Sequence, residues 1–296
     1  MKKLNMVTTA AVATVMTASS AYADLSLGGA IASVVKSGDS VSGVSHYGTS
    51  YTINVDYTTT LDNGMGLAVN TDIAPGYTSS TAAHDSAPVT YLMTFSSDMG
   101  SFYTGTDFSS AVDDMDGAPG AGTYSGGGRI LASATAFDDG DSASGNGFGV
   151  STSLAGVSLK ATMGAGSNRA MSIAGSMNIA GATIKAGNTD FDTAGSPDHS
   201  FASVGYSVGG FDLGWGHWDS DATSMTQIGA STSVAGLGIG ISSASADNGS
   251  AADTDATGIH VSGSLGGAFW IVDYVNTDNG DATESDDFKL TFGTGF

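Results

Sequence analysis

The chain has 296 residues, with 29 acidic against 8 basic side chains, a formal charge of −21, 44 glycines and no cysteine. Such a charge repels nucleic acid, and the missing thiols exclude both a disulfide framework and thiolate chemistry. The body is rich in Gly, Ser, Thr, Ala and Asp, a poor recipe for a soluble core, and beyond residue 23 no run of about 18 apolar residues offers a membrane helix, so a membrane-spanning form must be a closed barrel.

Taken in chain order, Met1-Lys2-Lys3 opens a charged start, an apolar and small-residue run covers 7–18, and Ala21-Tyr22-Ala23 has the small-x-small pattern of a signal peptidase site. The segment 1–23 therefore reads as a secretory leader that is removed, with 24–296 left to fold. Lys2 and Lys3 leave with it, so the remainder carries six basic residues against 29 acidic ones. A disordered secreted polymer and a Gly/Asp-rich calcium solenoid both fit the composition. Ordered apolar alternation argues against the first, and the lack of a fixed short repeat against the second.

That alternation is the main structural signal. Tyr51, Ile53, Val55 and Tyr57 interleave with Thr52, Asn54, Asp56 and Thr58, giving one greasy and one wet strand face. Val89, Tyr91, Met93 and Phe95 repeat the pattern, as do Val157, Leu159, Ala161 and Met163. Tight turns punctuate these runs at Asp62-Asn63-Gly64, Asp98-Met99-Gly100, Ala155-Gly156, Ala180-Gly181, Gly209-Gly210, Ala235-Gly236 and Gly266-Gly267. Between them lie longer polar stretches, of which 108–146 is the longest. The spacing predicts an all-β chain of sixteen strands near 24–35, 49–60, 65–73, 88–97, 101–107, 147–154, 157–165, 169–178, 182–189, 199–208, 211–218, 224–234, 237–245, 256–265, 268–277 and 286–296. Short turns on one side and long loops on the other are the arrangement of an outer-membrane antiparallel barrel.

Charge within the strands carries the functional information. By alternation Lys160, Lys185 and Lys289 share the polar face with Asp56, Asp72 and Asp212, which makes all six candidate pore-lining residues. A lysine facing lipid at mid-depth would cost about 2–4 kcal/mol. A register slip of one residue would move every one of them to the other wall. Enzymatic readings find no support. His46, His84, His199 and His217 fall in loops or at strand ends and His260 in a strand, with no metal-ligand spacing, and no nucleophile elbow or phosphate loop is present. No cofactor is required. The acidic loops around Asp247-Asn248, Asp253-Thr254-Asp255 and Asp278-Asn279-Gly280-Asp281 could bind Ca2+ or simply be solvated.

The final run, Phe288-Lys289-Leu290-Thr291-Phe292-Gly293-Thr294-Gly295-Phe296, resembles the C-terminal signature of outer-membrane barrels. The likeness implies that Phe296 is an assembly signal read by the barrel assembly machinery. Most of the chain is similar to the general porins of alphaproteobacteria, as in Rhodobacter. The likeness is carried by Thr60-Leu61-Asp62-Asn63-Gly64-Met65-Gly66-Leu67 and by Met99-Gly100-Ser101-Phe102-Tyr103-Thr104-Gly105-Thr106-Asp107. It implies a homotrimer in outer-membrane lipid, with a long third loop folded into each pore. On that pattern Asp107, Asp113, Asp114, Asp116, Arg129, Asp138, Asp139 and Asp141 would sit at the constriction. Family members usually set a basic cluster opposite such carboxylates. So few basic residues exist here that the resemblance implies a lopsided field and a general diffusion channel preferring cations. A substrate-selective channel on the same barrel, or a secreted calcium-dependent adhesin without a pore, would be the alternatives.

Overall fold

A computed structural model describes residues 23–38, 46–73, 77–78, 89–106, 109–112, 115, 147–164, 170–191, 198–220, 223–247, 249, 253–280 and 284–295. The leader expected at 1–23 lies outside them except for its last residue, Ala23.

Every regular element among the described residues is a strand, and all of them join one antiparallel sheet. In chain order these are β1 (Ala23–Gly38), β2 (His46–Thr60), β3 (Gly66–Ile73, resumed at Tyr77–Thr78), β4 (Val89–Ser97) and β5 (Gly100–Gly105). Next come β6 (Gly147–Leu154), β7 (Val157–Gly164), β8 (Ala170–Ile179), β9 (Ala182–Phe191), β10 (His199–Val208) and β11 (Phe211–Ser220). The last five are β12 (Thr223–Val234), β13 (Leu237–Asp247), β14 (Thr254–Leu265), β15 (Ala268–Asp278) and β16 (Glu284–Gly295). Tyr77–Thr78 belongs to β3 because the pair Thr49↔Tyr77 continues the register of Ile53↔Ile73, four residues on along each strand.

Each strand pairs with its successor, and β1 pairs with both β2 and β16, from Ala23↔Thr59 on one side to Ala30↔Gly295 on the other. The sheet is thus a closed barrel of sixteen strands, as the alternation predicts. Followed from pair to pair around the ring, the register returns to β1 twenty residues further on. A stagger of this kind tilts the strands by roughly 35–45° to the barrel axis.

Seven short turns among the described residues fall at one end of the barrel. Five are two-residue hairpins with both residues at positive φ: Ala155-Gly156, Ala180-Gly181, Gly209-Gly210, Ala235-Gly236 and Gly266-Gly267. This backbone suits the right-handed twist of the flanking strands. The turn at Asp62-Asn63-Gly64 is closed by Gly64 N–H to Leu61 O (2.8 Å) and by Leu61 N–H to Met65 O (2.7 Å).

Exposure alternates in the sense opposite to that of a water-soluble protein. On β13 Ile241 is 55% exposed while its neighbour Ser242 is 3% exposed. Leu27, Val150, Ile173, Leu213, Ile228, Ile259, Leu290 and Phe292 likewise face outward. Burying such side chains in lipid is favourable by roughly 1.5–3 kcal/mol each, and the ladder leaves no unpaired backbone edge within the hydrocarbon.

At the end opposite the tight turns, several strands run on past this belt. Structure extends to Gly38, Ser220, Asp247 and Asp278, and begins at Thr254 and Glu284, beyond the boundaries that alternation predicts. There the outward positions turn polar and acidic, with Asp219, Asp247, Asp255, Asp278, Glu284 and Asp286 exposed. The apolar signal stops where the lipid stops, but backbone hydrogen bonding does not need it.

Candidate functional site

A closed barrel offers its chemistry on the inner face. The inner face is identified by Ser172, Thr189, Ser203 and Gln227, which are fully buried although the outer face beside them is exposed. Ser203, Lys185 and Ser176 are in register across β8 to β10, so the lysine shares that inner face. Alternation along each strand likewise puts Asp56, Asp72, Lys160, Asp212 and Lys289 on it.

The wall at β2 and β3 is acidic and amide-rich. Asn54 Nδ2 donates to Asp72 Oδ1 at 2.6 Å, and Asn70 Nδ2 donates to Asp56 Oδ1 at 2.7 Å. These are directly opposed cross-strand pairs, Asn54↔Asp72 and Asp56↔Asn70. The amides hold both side chains in place and bring no charge of their own. Near the short-turn end of β11, Asp212 accepts from the hydroxyl of Ser207.

Across the wall from β5 to β9, the first residues after β5 lie against the inner face. Ala111 N–H donates to Thr162 Oγ1 and Val112 N–H to Ser172 Oγ, both at 3.0 Å. Ser172 accepts in turn from Thr189 Oγ1 at 3.1 Å. Ala111 and Val112 join an interior apolar cluster with Ala174, Phe201, Trp218, Met225 and Val275, against which Met115 packs. Lys160 is 9% exposed, with Nζ 3.4 Å from Ser109 O and 4.8 Å from the centre of the Tyr103 ring. A Cβ on Gly149 would stand 2.5 Å from that ring, so only glycine lets it lie on the wall. A recess of about 630 Å³ opens beside this group, lined in part by Leu92, Thr94, Ser101, Tyr103, Met115, Ser151 and Lys160.

A third group occupies β14 to β16. Asp273 is 2% exposed, and its Oδ1 lies 2.7 Å from His260 Nδ1. Its partner in register on the other side is Lys289. Alternation does not reveal this site because β15 is apolar on both faces: Phe269, Ile271 and Val275 line the inside, Trp270, Val272 and Tyr274 the outside. Tyr103 is hidden for a similar reason, since Phe102-Tyr103 puts an aromatic ring on each face.

The expected constriction residues Asp107, Asp113, Asp114, Asp116, Arg129, Asp138, Asp139 and Asp141, and the expected assembly residue Phe296, lie outside the described residues. Among the described residues no three His, Asp or Glu side chains gather as a metal site. In the acidic loops Asp247 and Asp278 instead accept the backbone N–H of Gly249 (2.8 Å) and Gly280 (2.9 Å).

Comparison with known proteins agrees with this geometry. A family model described as Gram-negative porin matches residues 8–295. Among solved structures, a loop L8 deletion mutant of OmpT, an outer membrane protein of Vibrio cholerae, is similar with a TM-score of 0.69 at 16% identity, covering 93% of this chain and 100% of that one. An engineered variant of Rhodopseudomonas blastica porin gives 0.68 at 17% identity, covering 92% and 100%. In-vitro folded OmpT of Vibrio cholerae, solved in a trimer form, gives 0.68 at 15% identity, covering 93% and 100%. A comparison with curated protein sequences returned no match.

Proposed function

The chain belongs to the Gram-negative porin family, outer-membrane channels built as closed β-barrels, and from that premise we propose that it is a general diffusion pore for small hydrophilic solutes that prefers cations and works as a homotrimer. The observation that carries the preference is the acidic wall at β2 and β3. There Asp56 and Asp72 are bonded by asparagine amides and not neutralised by lysine. A charge facing a narrow aqueous bore with low-dielectric walls concentrates counter-ions and rejects co-ions.

Two of the inner-face lysines lie beside other groups of the wall. Lys160 is covered by the chain at Ser109, and Lys289 stands in register with Asp273. The acidic string Asp113, Asp114 and Asp116 follows directly on Val112, which is bonded to the inner face. Carboxylates so close in sequence to an anchored residue would add to the same field. The trimer form of the similar Vibrio protein supports three chains per assembly. On this reading Phe296 is an assembly signal for the barrel assembly machinery.

Planar-bilayer recording tests the proposal. In a tenfold KCl gradient the reversal potential should carry the sign of cation selectivity, and the conductance should rise with salt without saturating. A reversal potential of the anion-selective sign would sink the charge argument. Saturation by one solute at low concentration would replace the general pore with a selective one.

A further inference from the structure

We propose that Asn279-Gly280, just after β15, is a deamidation site held in check by the Asp278 carboxylate. The inference stands apart from the channel reading and concerns the covalent lifetime of the loop end.

Three Asp-Asn-Gly triplets occur in the chain, at 62–64, 247–249 and 278–280. An asparagine before glycine is open to cyclisation, because glycine has no Cβ to obstruct its own nitrogen. In that reaction the glycine nitrogen gives up its proton and attacks the asparagine Cγ. The new N–Cγ bond closes a succinimide ring, and the side-chain nitrogen leaves as ammonia with a proton from water. Water then opens the ring at either carbonyl, giving aspartate or isoaspartate. Water is consumed, ammonia is released, and nothing is oxidised or reduced.

The hydrogen bonds show where the proton of each attacking nitrogen is held. Gly280 N–H donates to Asp278 Oδ1 at 2.9 Å, and Gly249 N–H donates to Asp247 Oδ1 at 2.8 Å. At the remaining triplet Gly64 N–H goes instead to a neutral acceptor, Leu61 O, at 2.8 Å, and Asn63 Oδ1 accepts from Met65 N–H at 3.1 Å. Backbone conformation does not set the triplets apart, since φ is 82° at Gly64, 65° at Gly249 and 71° at Gly280. The charged acceptor does. Taking the proton from Gly280 breaks its bond to Asp278 and places a second negative charge beside the first. Asp278 stands in register between Asp255 on β14 and Glu284 on β16, which deepen the same negative field. Asp278, Asn279 and Gly280 are all exposed, so the guard is electrostatic and not steric.

The purified barrel, incubated in detergent at mildly alkaline pH, tests the proposal when aspartate and isoaspartate at each triplet are followed by peptide mapping and mass spectrometry. Two like charges about 4 Å apart in water repel by an energy worth about fivefold in rate, so Asp278→Ala should speed the reaction at Asn279 about fivefold. Asp278→Asn, which keeps an acceptor and removes the charge, should give most of that gain. Asn63 should react at its wild-type rate in both variants and serves as the standard within the same molecule. Added salt should speed Asn279 more in the wild type than in Asp278→Ala, because screening weakens the same repulsion. An unchanged or slower reaction at Asn279 in Asp278→Ala, or an equal rise at Asn63, would overturn the proposal. So would an Asn279 that keeps its amide in every variant.

Discussion

His260 and Asp273 face each other across β14 and β15 on the inner wall, with imidazole Nδ1 2.7 Å from the carboxylate, and Asp273 is in register with Lys289 on its other side. One buried acid therefore stands between two nitrogen bases on adjacent strands, close to the seam where β16 meets β1. Removing its carboxylate takes away the group that lies 2.7 Å from His260 Nδ1. Asp273→Ala should lower the stability of the barrel by about 1–3 kcal/mol, whereas Asp273→Asn, which keeps an acceptor for His260, should cost about half as much. Urea unfolding followed by the heat-modifiable shift in gel mobility measures both, and equal midpoints for the wild type and Asp273→Ala would contradict the assignment.

The acidic wall makes a prediction about selectivity. Asp56→Asn and Asp72→Asn keep the cross-strand amide contacts while each removes a charge, so their barrels should fold normally. Each should lower the cation-to-anion permeability ratio about twofold, and the double variant further, in the manner of a focused field. Reversal potentials in a salt gradient read this directly. No shift in the double variant would mean that the field is set elsewhere.

The hairpins predict a gain. Ala155, Ala180 and Ala235 sit at φ near 50°, where an L-residue with a Cβ is disfavoured by roughly 1–2 kcal/mol. Asparagine and glycine tolerate that region and lead the preferences for such turns. Ala235→Gly or Ala235→Asn should therefore raise the unfolding midpoint, by no more than about 1 kcal/mol once the added freedom of the unfolded chain is subtracted. A drop in the midpoint would mean that the alanine makes a contact that matters more than its backbone.

The outer belt predicts a gradient with depth. Ile241 and Asp247 both lie on the outer face of β13, the first within the apolar belt and the second at the loop end. Ile241→Lys should cost about 2–4 kcal/mol, and Asp247→Lys about 0–1 kcal/mol. Comparable costs at both positions, measured by refolding into liposomes, would place the lipid boundary elsewhere.

Much of this architecture was legible in the residues. A strand with one apolar face, such as β2 with Ile53, Val55 and Tyr57 outward, declares its register. Ala-Gly and Gly-Gly pairs declare the hairpins, because few other residues adopt two positive φ angles in succession. The lumen-facing lysines and aspartates followed from alternation alone. The strand ends did not, since above the belt Asp247 and Asp278 continue a ladder whose outer positions are as polar as a loop. Nor did the partners of Lys160 and Asp273. Lys160 meets a strand and a segment distant in sequence, Asp273 meets the strands on either side of its own, and a period of two reports which face a side chain occupies without saying what it meets there.

The seam between β1 and β16 carries a consequence for biogenesis. Its nine residue pairs join the first strand to the last, so the ring cannot close until both ends of the sheet have crossed the inner membrane. Every shorter intermediate exposes two raw edges and a greasy outer surface at once. In an aqueous compartment such a species invites aggregation until the circle is complete.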